Sequence, residues 1–280
     1  MKRIAAINDL SGFGKCSLTA NIPVISALGV QCCPLPTGIL SNQTGYPEYR
    51  HIDFTRHMSD FAEQWQRLGF TFDGIISGFI SNSRQGEIIA DIIQKLANED
   101  TLVVVDPVMA DDGKIYDSYD SAGVEAIKHI SGLATVITPN LTELCVITGN
   151  EYNQIAALKE SQITSAVKDM SRSTGKTVVT TGIHIGNNKI ANAIYTPDDD
   201  CLKIIENERI GGSFSGTGDI LTSIITAQMV KGVDIAQAVR LAVDFITKSI
   251  ADTMNSCQQG YSPADGINFE QNIGMLTKEI

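Results

Sequence analysis

Leu102-Val103-Val104-Val105-Asp106 is a short, continuous apolar run ending on a carboxylate, and Pro107-Val108-Met109 follows it. A strand with one wet face would alternate apolar and polar residues, so an unbroken run predicts a parallel strand covered by helices on both faces. Similar runs stand at 3–8, 31–36, 73–77, 134–138 and 177–181. Between them lie helical patterns near 17–28, 55–69, 84–97, 119–131 and 154–173, the last ending before Gly175. Alternating strands and helices predict an α/β fold in three layers (α-β-α), with a mostly parallel central sheet and helices on both faces. Further along, 189–196 and 201–206 predict a hairpin across Pro197-Asp198-Asp199-Asp200. Helices at 217–231 and 234–252 and a short one near 267–278 complete the expected order. No Pro-, Gly- or Ser-rich linker and no repeat divides the chain, so one domain spanning 1–280 is expected.

The composition excludes several classes. The 280 residues are 43% hydrophobic and 19% charged, which is a globular profile and not a disordered one. Lys and Arg number 21 against 32 Asp and Glu, a formal charge of −11. Without a basic stripe, so acidic a chain repels a polyphosphate backbone, and no nucleic-acid partner is expected. No run approaches the ~18 apolar residues of a membrane span, and the N-terminus lacks a signal core. Cys16, Cys32, Cys33, Cys145, Cys201 and Cys257 form no C-x-x-C pair, which predicts buried thiols in a soluble cytoplasmic protein.

The chemistry-bearing motifs lie where strands end and helices begin, the place where parallel sheets bind ligands. Gly211-Gly212-Ser213-Phe214-Ser215-Gly216-Thr217-Gly218-Asp219 opens into an amphipathic helix. Unpaired N–H groups at such an end hold anionic oxygens, and Asp219 in the first turn is kept ionised near neutral pH by the helix dipole. An ionised carboxylate beside an anion cradle suits phosphoryl transfer to an alcohol; the competing reading is an ordinary helix cap. Asn140 and Glu143, three apart in Thr138-Pro139-Asn140-Leu141-Thr142-Glu143, read either as holders of a Mg²⁺ water shell or as a capping box. Asp106 reads as a site carboxylate or as a turn Asp before Pro107. In Ser11-Gly12-Phe13-Gly14-Lys15-Cys16-Ser17 the Walker A spacing fails, because Asp9 and Cys16 occupy the Gly and Ser/Thr positions. Asp9 and Ser11 remain candidate polar ligands at the end of the first strand. His51, His57, His129 and His184 show no ligand spacing.

The order of these motifs resembles the ribokinase-like superfamily of small-molecule kinases. Gly216-Thr217-Gly218-Asp219 matches its G-T-G-D motif, and Asn140 with Glu143 its Asn-x-x-Glu element. Within it the chain is most similar to the pyridoxal (pyridoxamine) kinase family, through Ile7-Asn8-Asp9, Leu40-Ser41-Asn42-Gln43-Thr44-Gly45-Tyr46, Ser77-Gly78-Phe79 and Asp106-Pro107-Val108-Met109. The resemblance implies a ribokinase-like fold and ATP-dependent phosphorylation of the 5′-hydroxymethyl group of pyridoxal, pyridoxamine or pyridoxine. Asp219 would then be the base, and Gly216, Thr217 and Gly218 the anion hole. Asp9 and Thr44 would contact the pyridine's polar atoms, Phe79 would offer a ring face, and Tyr116 would belong to a flap. Asp106, Asp111, Asn140 and Glu143 would surround Mg²⁺ and the phosphates, with Thr181 near the nucleotide. The resemblance implies ATP and Mg²⁺, leaves a monovalent cation open, and implies a homodimer. Asp9, Phe79 and Gln43 stand where Ser, Tyr and His are common, and the segment 111–118 looks short for the flap. An anionic Asp9 would favour a protonated ring nitrogen or an aminomethyl group, and so pyridoxamine. Hydroxymethylpyrimidine kinase is the alternative enzyme. A catalytically silent nucleotide-binding protein is the alternative from another class, although a binder needs no Asp219.

Overall fold

In a computed structural model, which describes residues 1–186, 188–256 and 262–279, the chain opens with β1 (Arg3–Ser11), α1 (Ser17–Ala27), β2 (Gln31–Leu40) and β3 (His51–Asp53). α2 (Thr55–Arg67), β4 (Gly74–Ser77), α3 (Ser83–Leu96) and β5 (Leu102–Val105) follow. A two-strand ribbon of β6 (Ala110–Asp111) and β7 (Lys114–Ile115) precedes α4 (Ser121–Leu133), β8 (Val136–Ile137) and α5 (Leu141–Thr148). Next come α6 (Tyr152–Ala156), α7 (Glu160–Thr174), β9 (Thr177–Ile185), β10 (Lys189–Thr196) and β11 (Cys201–Glu208). The chain then forms α8 (Thr217–Val230), α9 (Ile235–Ser256) and two 3₁₀ segments, Pro263–Asp265 and Phe269–Glu279.

Nine strands form one sheet in the order β11-β10-β9-β8-β5-β4-β1-β2-β3. The pairs from β9 through β2 are parallel, and β3, β10 and β11 add antiparallel edges. Successive side chains of each strand enter opposite faces. Ile75, Val103, Val105 and Val178 join the core under α2–α5 and α7, while Ile4, Ile76, Val104 and Val179 join the core under α1, α8 and α9. This three-layer α/β arrangement, a mostly parallel sheet with helices on both faces, matches the expectation. It also explains why strand after strand reads as continuously apolar.

Several boundaries moved, each for a local reason. β1 continues three residues past the expected end, so Asp9 and Ser11 sit inside the strand and not in the loop after it. β2 runs to Leu40 through Pro34 and Pro36, which lack N–H groups; β3 pairs only with Gly38–Leu40, so the outer edge beside the prolines needs no donors. The expected helix 154–173 is two helices, because Gln162 accepts from the Lys159 N–H at 3.2 Å and restarts the turn as α7. The expected helix near 267–278 is 3₁₀. Cys16 and Cys145 are buried, but Cys32, Cys33 and Cys201 are only partly so, and all five are free thiols. Cys257 lies outside the described residues.

β1 lies between β2 and β4, with α1 crossing on one face and α2 on the other. This reversal of strand order falls at the carboxyl ends of β1 and β4, the usual ligand position in such sheets. Ile4 in β1 is fully buried between the sheet and the α1/α8/α9 layer. Ile4→Ala is expected to lower the unfolding free energy by about 2–5 kcal/mol in urea titrations; a loss below about 1 kcal/mol would contradict this placement of the core.

Candidate active site

The site forms where β1, the β4–α3 loop and the start of α8 meet. α8 begins at Gly216, in the left-handed region at φ +82, and no side chain caps it. A Cβ at Gly216 would stand 2.1 Å from the Lys15 carbonyl oxygen, so only glycine lets the two loops approach this closely. α3, α4 and α5 are instead closed by the side chains of Asn82, Asp120 and Asn140. The uncapped first turn of α8 therefore offers its N–H groups and positive dipole end to an anion.

Asp219 is half-buried in that turn. Its Oδ1 accepts from Asn8 Nδ2 at 2.8 Å and its Oδ2 from the Ser17 backbone N–H at 2.8 Å. Burial raises its carboxyl to about 6; the Ser17 amide opposes the rise, the Asp9 charge adds to it and the Asn8 amide opposes it. The dipole therefore does not hold Asp219 at an ordinary carboxylate value. Desolvation wins, though an acid of about 6 is still mostly ionised at pH 7. Lys15 and Ser17 both have positive φ (51 and 52), a conformation costing a non-glycine residue about 1–3 kcal/mol. At Ser17 that backbone aims the N–H at Asp219.

Asn8 is buried, and no sequence motif assigns it a role. Its Oδ1 accepts from the Asp9 and Phe79 backbone N–H groups, each at 3.0 Å, while its Nδ2 reaches Asp219 and Asn21 Oδ1. Asn21 in turn donates to Ser223 Oγ at 2.8 Å. One side chain thus links β1, the loop after β4 and α8. Gly78 leaves the space it needs, since a Cβ there would stand 2.6 Å from Asn8 Nδ2. The signal in the sequence was an amide at the end of the apolar run Ile4–Ile7, costly in a core unless fully paired.

The expected acceptor-side residues differ in exposure and pairing. Asp9 and Ser11 are buried against each other: Ser11 Oγ donates to Asp9 Oδ2 at 2.7 Å, and Ser17 Oγ donates to Asp9 Oδ1. Burial raises the Asp9 carboxyl. Each of its oxygens thus accepts one hydrogen bond within the protein. Thr44 is exposed in the 41–46 segment. Phe79 is half-buried and meets Tyr119 edge-on at 6.0 Å.

Toward β5 and β8 lies a second group. Asp106 is buried, and burial together with the Asp219 charge raises it to about 8, with the hydroxyls of Thr222 and Thr138 opposing. A Cβ at Gly218 would lie 3.2 Å from Asp106 Oδ2, so the carboxylate borders the first turn of α8. Asn140 and Glu143 form the capping box: Asn140 accepts from the Glu143 N–H and Glu143 Oε2 from the Asn140 N–H, both at 2.9 Å. Glu143 Oε1 also accepts from the Met109 N–H at 3.1 Å, and Asn140 Nδ2 donates to the Ala110 carbonyl at 2.7 Å. Burial, then the charge of Asp106, pushes Glu143 well above its ordinary value. Thr181 donates its backbone N–H to the Pro139 carbonyl at 2.9 Å, beside Asn140. The segment 111–118 opens with the β6–β7 ribbon, turned by Asp112 and Gly113 at positive φ, with Asp111 exposed at its edge. Tyr116 donates its backbone N–H to the Met109 carbonyl at 2.9 Å; burial raises its phenol, and the charges of Glu143, Asp111 and Asp106 add to this.

The architecture has close counterparts among known proteins. Residues 14–265 match the family model described as phosphomethylpyrimidine kinase. The chain is 24% identical over 280 residues to the pyridoxal kinase of Leifsonia xyli subsp. xyli, covering 96% of each. It is 30% identical over 209 residues to the hydroxymethylpyrimidine/phosphomethylpyrimidine kinase of Staphylococcus aureus, covering 71% of this chain and 72% of that one. A crystal structure from Bacteroides thetaiotaomicron containing pyridoxal superposes with a TM-score of 0.90 at 33% identity, over 98% of this chain and 95% of that one. With the family model spanning most of its length and the G-T-G-D turn intact, the chain belongs to the phosphomethylpyrimidine kinase family and is a small-molecule kinase.

Proposed function

We propose that this protein, acting as a single kinase domain, transfers the γ-phosphoryl group of ATP to the 5′-hydroxymethyl oxygen of a B6 vitamer. The observation that carries the reading is Asp219, held at both oxygens by Asn8 and the Ser17 amide, in the uncapped first turn of α8. Asp219 accepts the hydroxyl proton as the alcohol oxygen bonds to the γ-phosphorus and the bond to ADP breaks. The N–H groups of the Gly216–Asp219 turn stabilise the charge on the phosphoryl oxygens. Pyridoxal-directed relatives and the pyridoxal-containing counterpart favour a pyridine acceptor. The Staphylococcus aureus relative and the family description favour hydroxymethylpyrimidine as the second reading. Five free thiols and the absence, among the described residues, of any helix long and apolar enough to cross a membrane fit the cytoplasm expected for such an enzyme.

Mg²⁺ fits the Asp106 side. Two buried carboxylates stand here: burial and the Asp219 charge raise Asp106, burial and the Asp106 charge raise Glu143, and a nearby cation would relieve both. No cluster of three or more His, Cys, Asp or Glu among the described residues could hold a metal unaided. The capping box leaves Glu143 to act through water, so the other ligands would be waters and nucleotide oxygens, as Mg²⁺ prefers. When bound, the ion would neutralise phosphate charge.

Three outcomes check the proposal. With ATP, initial rates for the three vitamers and for hydroxymethylpyrimidine should give the highest kcat/KM to a vitamer. Preference for hydroxymethylpyrimidine would select the second reading, and no transfer to any of them would refute both. Asp219→Ala should lower kcat by at least about 10²-fold, and wild-type kcat/KM should fall on acidification with an apparent pKa of about 6 as Asp219 takes up its proton. Retention of half the wild-type rate would remove Asp219 from its role. In the protein without nucleotide or metal, the raised Asp106 carboxyl supports folding at low pH, and that support is lost as pH rises through about 8. Asp106→Asn should therefore raise the unfolding midpoint at pH 8 and above with little change at pH 5, while impairing turnover; a stabilisation equal at both pH values would contradict the shift.

A further inference from the structure

The segment Ser262–Gly266 touches the β1–α1 loop, the 41–46 segment and the loop that leads into α8. The Pro263 carbonyl accepts from the Ser215 N–H at 3.2 Å, directly before the Gly216–Asp219 turn. The Ala264 carbonyl accepts from Gln43 Nε2 at 3.1 Å, and Asp265 Oδ1 accepts from the Tyr46 hydroxyl, both within the 41–46 segment. Gly266, at φ +77, packs so closely on the β1–α1 loop that a Cβ would stand 2.6 Å from the Gly14 carbonyl oxygen.

The segment is rigid by construction. Ser262 Oγ caps the Ala264 N–H at 3.2 Å, and Asp265 Oδ2 accepts from the Ser262 N–H at 3.0 Å. Ile267 and Phe269 anchor it in the core, while Lys15 Nζ donates to Asn268 Oδ1 at 2.7 Å and pairs with Glu270 at 2.9 Å. With Oδ2 fixed in its own turn, Asp265 offers Oδ1 at one location, and Tyr46 takes it. The fold core does not need this arrangement, because Asp265, Tyr46 and Gln43 are all only partly buried.

We propose that Ser262–Gly266 is a wall of the active site and that Asp265 is a positioning residue for the acceptor alcohol. Asp265 holds Tyr46 and the Ala264 carbonyl holds Gln43, which fixes the 41–46 segment, while the Pro263 carbonyl on the Ser215 N–H sets that segment's distance from the phosphate-binding turn. This rests on the alcohol-kinase reading. Its consequence is asymmetric: loosening Asp265 misplaces the pyridine alcohol and leaves the nucleotide side, built from Asp106, Asn140 and Thr181, unchanged.

The test compares wild type with Asp265→Ala, Asp265→Asn and Tyr46→Phe. KM is measured for each substrate, vitamer Kd by calorimetry, and Tm for each protein. Asp265→Ala and Tyr46→Phe should each raise the acceptor KM and Kd by about tenfold, the order of one charge-assisted hydrogen bond. kcat should change less than KM, and the KM for ATP should hold. Asp265→Asn, which keeps an acceptor oxygen, should recover part of the loss, and the double variant should add nothing to either single one. An unchanged acceptor KM in these variants, or equal rises for both substrates, overturns the proposal whatever happens to Tm. If Asp265→Ala does not fold, Tyr46→Phe decides alone. A wild type that phosphorylates no B6 vitamer overturns the vitamer-kinase reading as well; an active wild type with unmoved variants overturns only the role given to Asp265.

Discussion

The site depends on how Asp219 is held. A carboxylate at a helix start would point into solvent if left alone. Here Asn8 grips one oxygen and the Ser17 amide the other. Each donor favours the charged form, which burial disfavours, and the balance leaves an acid of about 6: strong enough a base to take a proton and weak enough to be ionised when it must. Losing either donor would raise its proton affinity further.

Holding it there has costs that lie close by. Lys15 and Ser17 carry positive φ, Asp9, Asp106 and Glu143 are buried carboxylates with raised proton affinity, and the turn opening α8 is left uncapped. Each feature destabilises the protein without ligand, and each makes sense beside a charged, phosphate-bearing substrate. The apolar layers on either side of the sheet offset these costs, since Ile4, Ile76 and Val104 on one face and Ile75, Val103 and Val105 on the other are almost wholly buried.

Much of this was legible in the chain. The parallel strands announced themselves because burial on both faces leaves no polar alternation, as at Leu102–Val105. Gly216-Thr217-Gly218-Asp219 was legible as a glycine turn with a carboxylate at fixed spacing. What stayed hidden depends on distance along the chain. Asn8 meets Asp219 across 211 residues, and Tyr46 meets Asp265 across 219, so no local pattern marks either pair. The Asn140–Glu143 spacing left a metal shell and a capping box open, and the structure realises the capping box without excluding water-mediated binding. Short pieces such as β3 and the β6–β7 ribbon are too brief to leave a periodic signal.

The central claim is the protonation state of one side chain, and a carbon-13 titration of the Asp219 carboxyl reads it directly. The wild type should titrate near 6, and Asn8→Ala should move the midpoint higher by removing a donor to the ionised form. A wild-type midpoint near 4, or one indifferent to Asn8, would mean that the carboxylate is neither desolvated nor held as described.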